Sequence, residues 1–172
     1  MAQRVIKNRS GCPVNISLEV FGDRWSLLIV RDLMVRGFRT YQDFLHSGEG
    51  IATNILADRL RQLQKSGIVV GQQDQQDRRR VNYRLTEKGI DLAPVMLELL
   101  IWGARHEKTG APPAVIAAMA KNRRTVLTET RRRWVAKDLQ PMLPWLGGPP
   151  RLEAKEGTKP AKIRQSRKEQ HA

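Results

Sequence analysis

Residues 40–65, TYQDFLHSGEGIATNILADRLRQLQK, decide the fold. Thr40 followed by Asp43 reads as a capping box, with Asp in the place of the usual Glu. It opens a short helix on which Tyr41, Phe44 and Leu45 lie three or four positions apart. Gly48 and Gly50 then break the chain as a tight turn requires. A second helix is expected from about Ala52 to Lys65, with Gly67 placed as its C-terminal cap. Two short helices joined by a glycine-containing turn are the pattern of a helix-turn-helix.

Downstream, IVV (68–70) and VNYRL (81–85) are two β-type runs separated by a polar loop, a hairpin in outline. Upstream, PVNISLEVF (13–21) predicts a short helix. The stretch DRWSLLIVRDLMVRG (23–37) predicts a central one that Gly37 stops. Its broad apolar face holds Trp25, Leu28, Ile29 and Leu33, and Arg24, Asp32 and Arg36 form the polar remainder. Helices, turn, reading helix and hairpin in that order predict a mainly α (α+β) fold, a winged helix-turn-helix with a two-stranded β-hairpin wing.

Helical periodicity resumes through Leu92, Val95, Met96, Leu99, Leu100 and Trp102, where Pro94 either kinks the helix or marks its first turn. Trp25 and Trp102 are expected in the core. A further helix is expected over 114–139, carrying the basic clusters RRT and TRRRW. Beyond Trp145 the chain is rich in Gly, Pro and Lys and reads as disordered. The expected organisation is a winged-helix domain over 1–110, a C-terminal helical extension over 111–146 and a disordered basic tail over 147–172.

The 172 residues carry a formal charge of +14, which points to a polyanionic partner, nucleic acid or an acidic membrane surface. Residues 1–110 hold 17 Lys and Arg against 12 Asp and Glu, and residues 111–172 hold 14 against 5, so the excess is concentrated in the C-terminal part. Cys12 is the single cysteine, which excludes an intrachain disulfide and suits a reducing cytoplasm. No apolar run follows the basic N-terminus as a signal peptide would need, and stretches such as LLIV (27–30) are too short to span a bilayer. His46, His106 and His171 stand in no recognised metal spacing with Cys12. No phosphate loop or nucleophile–base motif occurs, so neither a cofactor, a metal nor an enzyme activity is expected.

On the 52–65 helix, steps of about 100° per residue gather Leu56, Leu60 and Leu63 on the core side. Asn54, Asp58, Arg61 and Lys65 fall opposite, with Thr53 and Ala57 on one flank. Thr53, Asn54, Ala57, Asp58 and Arg61 are the candidate base-reading residues, because Asn suits adenine, Arg guanine, Asp cytosine and Ala the thymine methyl. A polar outer face is also the norm for any surface helix, so the stripe alone does not establish reading. The hairpin tip carries Asp77 and then Arg78, Arg79 and Arg80, which are candidates for phosphates or the minor groove.

These residues resemble the HxlR-type winged-helix transcriptional regulators of bacteria over about residues 12–105. The resemblance is carried by Cys12-Pro13 with Gly22 and Trp25, by LLIVRDL, by the Leu56–Leu60–Leu63 run with Arg59, and by YRLTEKG. It implies a homodimer built by terminal dimerisation helices, with reading helices in successive major grooves of a roughly palindromic double-stranded DNA operator. Half-sites would then lie about 34–36 Å apart. By family habit a repressor is expected before an activator. Family members often begin the reading helix with Ser where this chain has Ala52, so the cap passes to a neighbour or is lost.

Some members sense oxidants through a cysteine at the position of Cys12. Arg4, Lys7 and Arg9 nearby would favour its thiolate, and the bland alternative is a small apolar residue buried at the dimer interface. The effector is either an oxidant or a small molecule. One rival reading is a non-specific architectural nucleic-acid-binding protein working through its basic C-terminal region. Another is a small-molecule binder or enzyme with a pocket lined by Trp102, Met96 and residues 114–127.

Overall fold

Pro13 opens helix α1 (Pro13–Phe21), where its missing N–H needs no partner. The computed structural model describes residues 10–143; the 147–172 tail and Arg4, Lys7 and Arg9 lie outside the described residues. Helix α2 (Arg24–Arg31) is capped by Asp23, whose carboxylate accepts the N–H groups of Trp25 and Ser26 at 3.0 Å each. It runs on into a π-helical turn, Asp32–Arg36, which ends at Gly37 in the left-handed region (φ 76°).

The polar remainder expected for this helix divides. Arg24 is exposed, but Asp32 and Arg36 are buried. Their spacing lets the guanidinium fold back on the carboxylate, with Arg36 Nη1 3.2 Å from Asp32 Oδ1, so the charges enter the core together. Arg31 adds a 2.7 Å contact to the same carboxylate, and Arg36 lies over the Phe38 ring. Burial still raises the Asp32 carboxyl above its ordinary range, opposed by Arg31 and Arg36.

The helix-turn-helix is α3 (Tyr41–Leu45) and α4 (Thr53–Lys65). The capping box is formed on both sides: Thr40 accepts the Asp43 N–H and Asp43 accepts the Thr40 N–H. Leu56, Leu60 and Leu63 pack with Phe38, Phe44 and Ile68 into the main core. Strands β1 (Val69–Gln73) and β2 (Val81–Leu85) pair antiparallel, with Val69 opposite Leu85 and Gln73 opposite Val81. Residues 39–40 lie along the free edge of β2, where the Tyr83 N–H donates to the Arg39 carbonyl at 2.7 Å.

A short helix α5 (Glu87–Ile90) is capped by Thr86, and its Gly89 backs onto the Ile68 carbonyl, where any Cβ would collide. Helix α6 (Ala93–His106) has Pro94 in its first turn, so the proline starts the helix and does not kink it. The single helix expected over 114–139 is two, α7 (Pro113–Lys121) and α8 (Arg123–Val135). They break at Asn122, whose non-helical backbone and Nδ2 bond to the Ala118 carbonyl close α7.

Both helices pack against the rest. A second apolar cluster joins Leu97 and Ile101 of α6 to Met119 of α7 and Leu143, with Val126 and Leu127 of α8 beside them. The Met142 N–H donates to Val35 in the π-turn at 2.7 Å, and Gly37 abuts the Leu139 carbonyl. Trp25 is half-buried against the main core, as expected. Trp102 is not in the core: it is 59% exposed, on the outward side of α6 with Val95 and Leu99. No helix among the described residues is long and apolar enough to cross a membrane.

Candidate nucleic-acid interface

Helix α4 divides as its spacing predicts. Leu56, Leu60 and Leu63 are fully buried, Thr53, Asn54 and Arg61 are exposed, and Ala57 and Asp58 are half-buried. The side chains of Thr53 and Asn54 make no hydrogen bond among the described residues. Asp58 accepts Gln62 Nε2 at 2.9 Å and faces Arg61 Nη1 at 3.5 Å. Arg59 does a different job: Nη1 donates to Gln62 at 2.9 Å while Nε sits 3.6 Å from the Asp23 carboxylate, which ties α4 to the cap of α2.

Ala52 occupies the N-cap with extended backbone and no side-chain bond, so the cap is lost and not transferred. The first N–H groups of α4 are left without a side-chain cap, and they form the positive end of the helix. Tyr41 holds that end in place by donating its hydroxyl to the Thr53 carbonyl at 2.8 Å. Sequence reasoning placed Tyr41 on α3 but could not assign it this role, because the contact depends on how the two helices cross.

The wing tip is an ordered turn. Asp74 Oδ1 accepts the N–H groups of Gln76 (2.8 Å) and Asp77 (3.2 Å), and its Oδ2 accepts Asn82 Nδ2 at 2.8 Å. These bonds hold the Asp74 carboxyl below its ordinary range, the Gln76 N–H most of all. Asp77 accepts the Arg79 N–H at 3.0 Å. The acidic side chains therefore fold the backbone, and Arg80 adds a smaller through-space attraction to Asp74. Arg78, Arg79 and Arg80 are exposed, and their guanidinium groups make no ion pair or hydrogen bond among the described residues.

The base of the wing holds residues that sequence reasoning missed. The Arg84 guanidinium stacks over the Trp134 ring at 4.7 Å and donates to the Trp134 carbonyl. Behind it, burial and the Arg84 charge push the Arg39 guanidinium down to about 10. No local signal announces the pairing of β2 with α8, since the partners lie 50 positions apart. Cys12 is exposed at the N-cap of α1.

The sequence pattern of the HxlR-like helix-turn-helix family matches residues 20–110. The chain belongs to this family. The HxlR-like match spans the helix-turn-helix, the wing and α6, while α7 and α8 lie beyond it. YybR of Bacillus subtilis, named as an HTH-type transcriptional regulator, is 32% identical over 101 residues, 59% of this chain and 80% of its own. Among solved structures, PA1607 is similar at 37% identity and a TM-score of 0.55, over 61% of this chain and 72% of its own. The redox regulator HypR in its oxidised form is similar at 27% identity and a TM-score of 0.51, over 57% of this chain and its full length. The HxlR-like family is thus one of transcriptional regulators, and the fold of this chain is that of a winged helix.

Proposed function

We propose that the protein is a homodimeric transcriptional repressor that binds a roughly palindromic operator. Thr53, Asn54, Ala57, Asp58 and Arg61 of α4 read base edges in the major groove, and Arg78, Arg79 and Arg80 hold phosphates or the flanking minor groove. The observation that carries this reading is the wing tip, where an acid-folded turn presents three exposed arginines whose guanidinium groups make no ion pair or hydrogen bond among the described residues. Its support for a dimer is apolar: Val95, Leu99 and Trp102 form one exposed face of α6, and Val14 and Leu18 are exposed on α1.

A purely charge-driven architectural role is less well supported. The arginines of α8 are largely neutralised within the fold: Arg123 pairs with Glu98, Arg131 with Glu87 and Asp91, Arg132 with Glu129, and Arg133 with Asp138. Operator occupancy is set by an effector, either an oxidant at the exposed Cys12 or a small molecule; similarity to HypR supports the first. The winged-helix domain over 1–110 does the binding, and the helical extension modulates it.

The test is binding of the purified protein to its own promoter region and to a scrambled duplex of equal length, at moderate and at high salt. A preference that survives high salt, with a two-fold-symmetric footprint, supports the reading. Equal binding that collapses as salt rises overturns it.

A further inference from the structure

A cavity of about 660 Å³ lies between α2, α6, α7 and α8, within the range of small-molecule sites. Leu27, Met96, Leu100, Met119 and Leu127 give it a largely apolar wall, and the methionines and leucines let it adapt to an occupant. Its charged groups gather at one place. Arg31 Nη1 lies 2.9 Å and Arg24 Nη2 3.8 Å from the carboxylate of Glu49, and all three residues line the cavity. Arg31 also contacts Asp32, which is paired in turn with Arg36. Among the lining residues two guanidinium groups thus face one carboxylate beside an apolar chamber. Most of its lining lies within residues 20–110, which the family match covers, while Met119 of α7 and Val126, Leu127 and Thr130 of α8 add a side that the match does not reach.

We propose that this cavity binds a small organic acid with an apolar body, its carboxylate beside Arg24 and Arg31, and that occupancy acts on the wing through α8. The route is covalently short. Val126, Leu127 and Thr130 of α8 line the cavity, and one turn further Trp134 is bonded to the Leu85 carbonyl at the end of β2. A ligand that fits one spacing of α8 against α6 better than another biases the wing by that difference. The wing half of this inference rests on the DNA-binding reading above, and the acid-binding half stands without it.

The test is calorimetric titration of the full-length protein with decanoate and naphthylacetate, and with the corresponding uncharged amides. The expected result is saturable binding of the acids, about fivefold tighter than the amides, as suits a partly solvated charge pair. Arg24→Gln narrows that preference. Gly103→Phe removes acid binding without loss of melting temperature, because Gly103 lines the cavity and a Cβ there meets nothing within 4 Å. Bound acid changes affinity for the promoter duplex in wild type, and in Trp134→Leu the acid still binds but the duplex affinity no longer responds.

Absence of acid binding, equal binding of acids and amides, or binding undiminished in Gly103→Phe overturns the site. If Gly103→Phe splits the dimer and wild type takes up no acid, a second copy covers this face and the proposal falls. Acid binding that leaves duplex affinity unchanged overturns the coupling. Acid binding by a protein that prefers no duplex leaves the site standing and sinks the regulator reading instead.

Discussion

The indole N–H of Trp134 donates to the carbonyl oxygen of Leu85 across 2.9 Å, joining the last turn of α8 to the end of β2. The same ring lies under the Arg84 guanidinium, so α8 holds the wing base by a hydrogen bond and a cation–π contact together. Trp134→Ala is expected to cost about 2–3 kcal/mol, since it removes packing as well as the bond. Trp134→Phe keeps the ring and is expected to cost about 1 kcal/mol. Urea unfolding monitored by far-ultraviolet circular dichroism measures both, and a Trp134→Phe variant as stable as wild type would show that the indole N–H contributes nothing.

Ala52 already has the extended backbone of an N-cap, at φ −72° and ψ 147°, and lacks only a side-chain acceptor. Ala52→Ser is expected to stabilise the protein by about 1 kcal/mol. A rise in thermal midpoint of a few degrees checks it. No rise would mean that solvent already satisfies those N–H groups as well as a serine would.

Arg61 and Arg79 stand on the two arms of the proposed interface and are expected to fail differently. Arg61→Ala should cost about 1–3 kcal/mol on the operator and little on a scrambled duplex, which relaxes sequence choice. Arg79→Ala should weaken both duplexes alike and reduce the slope of log K against log salt by about 1. Titrations of each variant at several salt concentrations distinguish the two patterns, and wild-type binding by both variants would rule out the docking.

Asp74 organises the wing tip as a carboxylate, accepting two backbone N–H groups and the Asn82 amide. Its folded-state carboxyl titrates below the ordinary 3.8, so its contribution is fully present above that value and is lost as pH falls through the lower folded value. The amide proton shifts of Gln76 and Asp77 should therefore move with a shared midpoint below 3.8, and should lose that titration in Asp74→Asn. A midpoint at or above the ordinary value would mean that the turn does not depend on this carboxylate.

The candidate interface was legible because its signals are local. The spacing of Leu56, Leu60 and Leu63 sets which side of α4 faces the core, and so sets which side Asn54 and Arg61 occupy. Thr40 and Asp43 form their capping box within one turn, and the β-type runs flanking residues 74–80 can close only as a hairpin. Other features were not legible because distant partners decide them. Asp32 and Arg36 look like surface charges until each other, Arg31 and Phe38 are in place. Trp102 is a large apolar residue of the kind a core takes, but α6 turns its own Leu97 and Ile101 inward and leaves the tryptophan outside.

By itself, then, the amino-acid sequence determined the winged helix, the outward face of α4 and the arginine tip, since helix periodicity, caps and turns act over three or four residues. Tertiary structure alone decided that α7 and α8 pack against α6, that they line one side of a cavity against α2 and α6, and that Trp134 reaches Leu85. Those outcomes depend on burying apolar faces separated by tens of residues, and no local pattern encodes which face meets which.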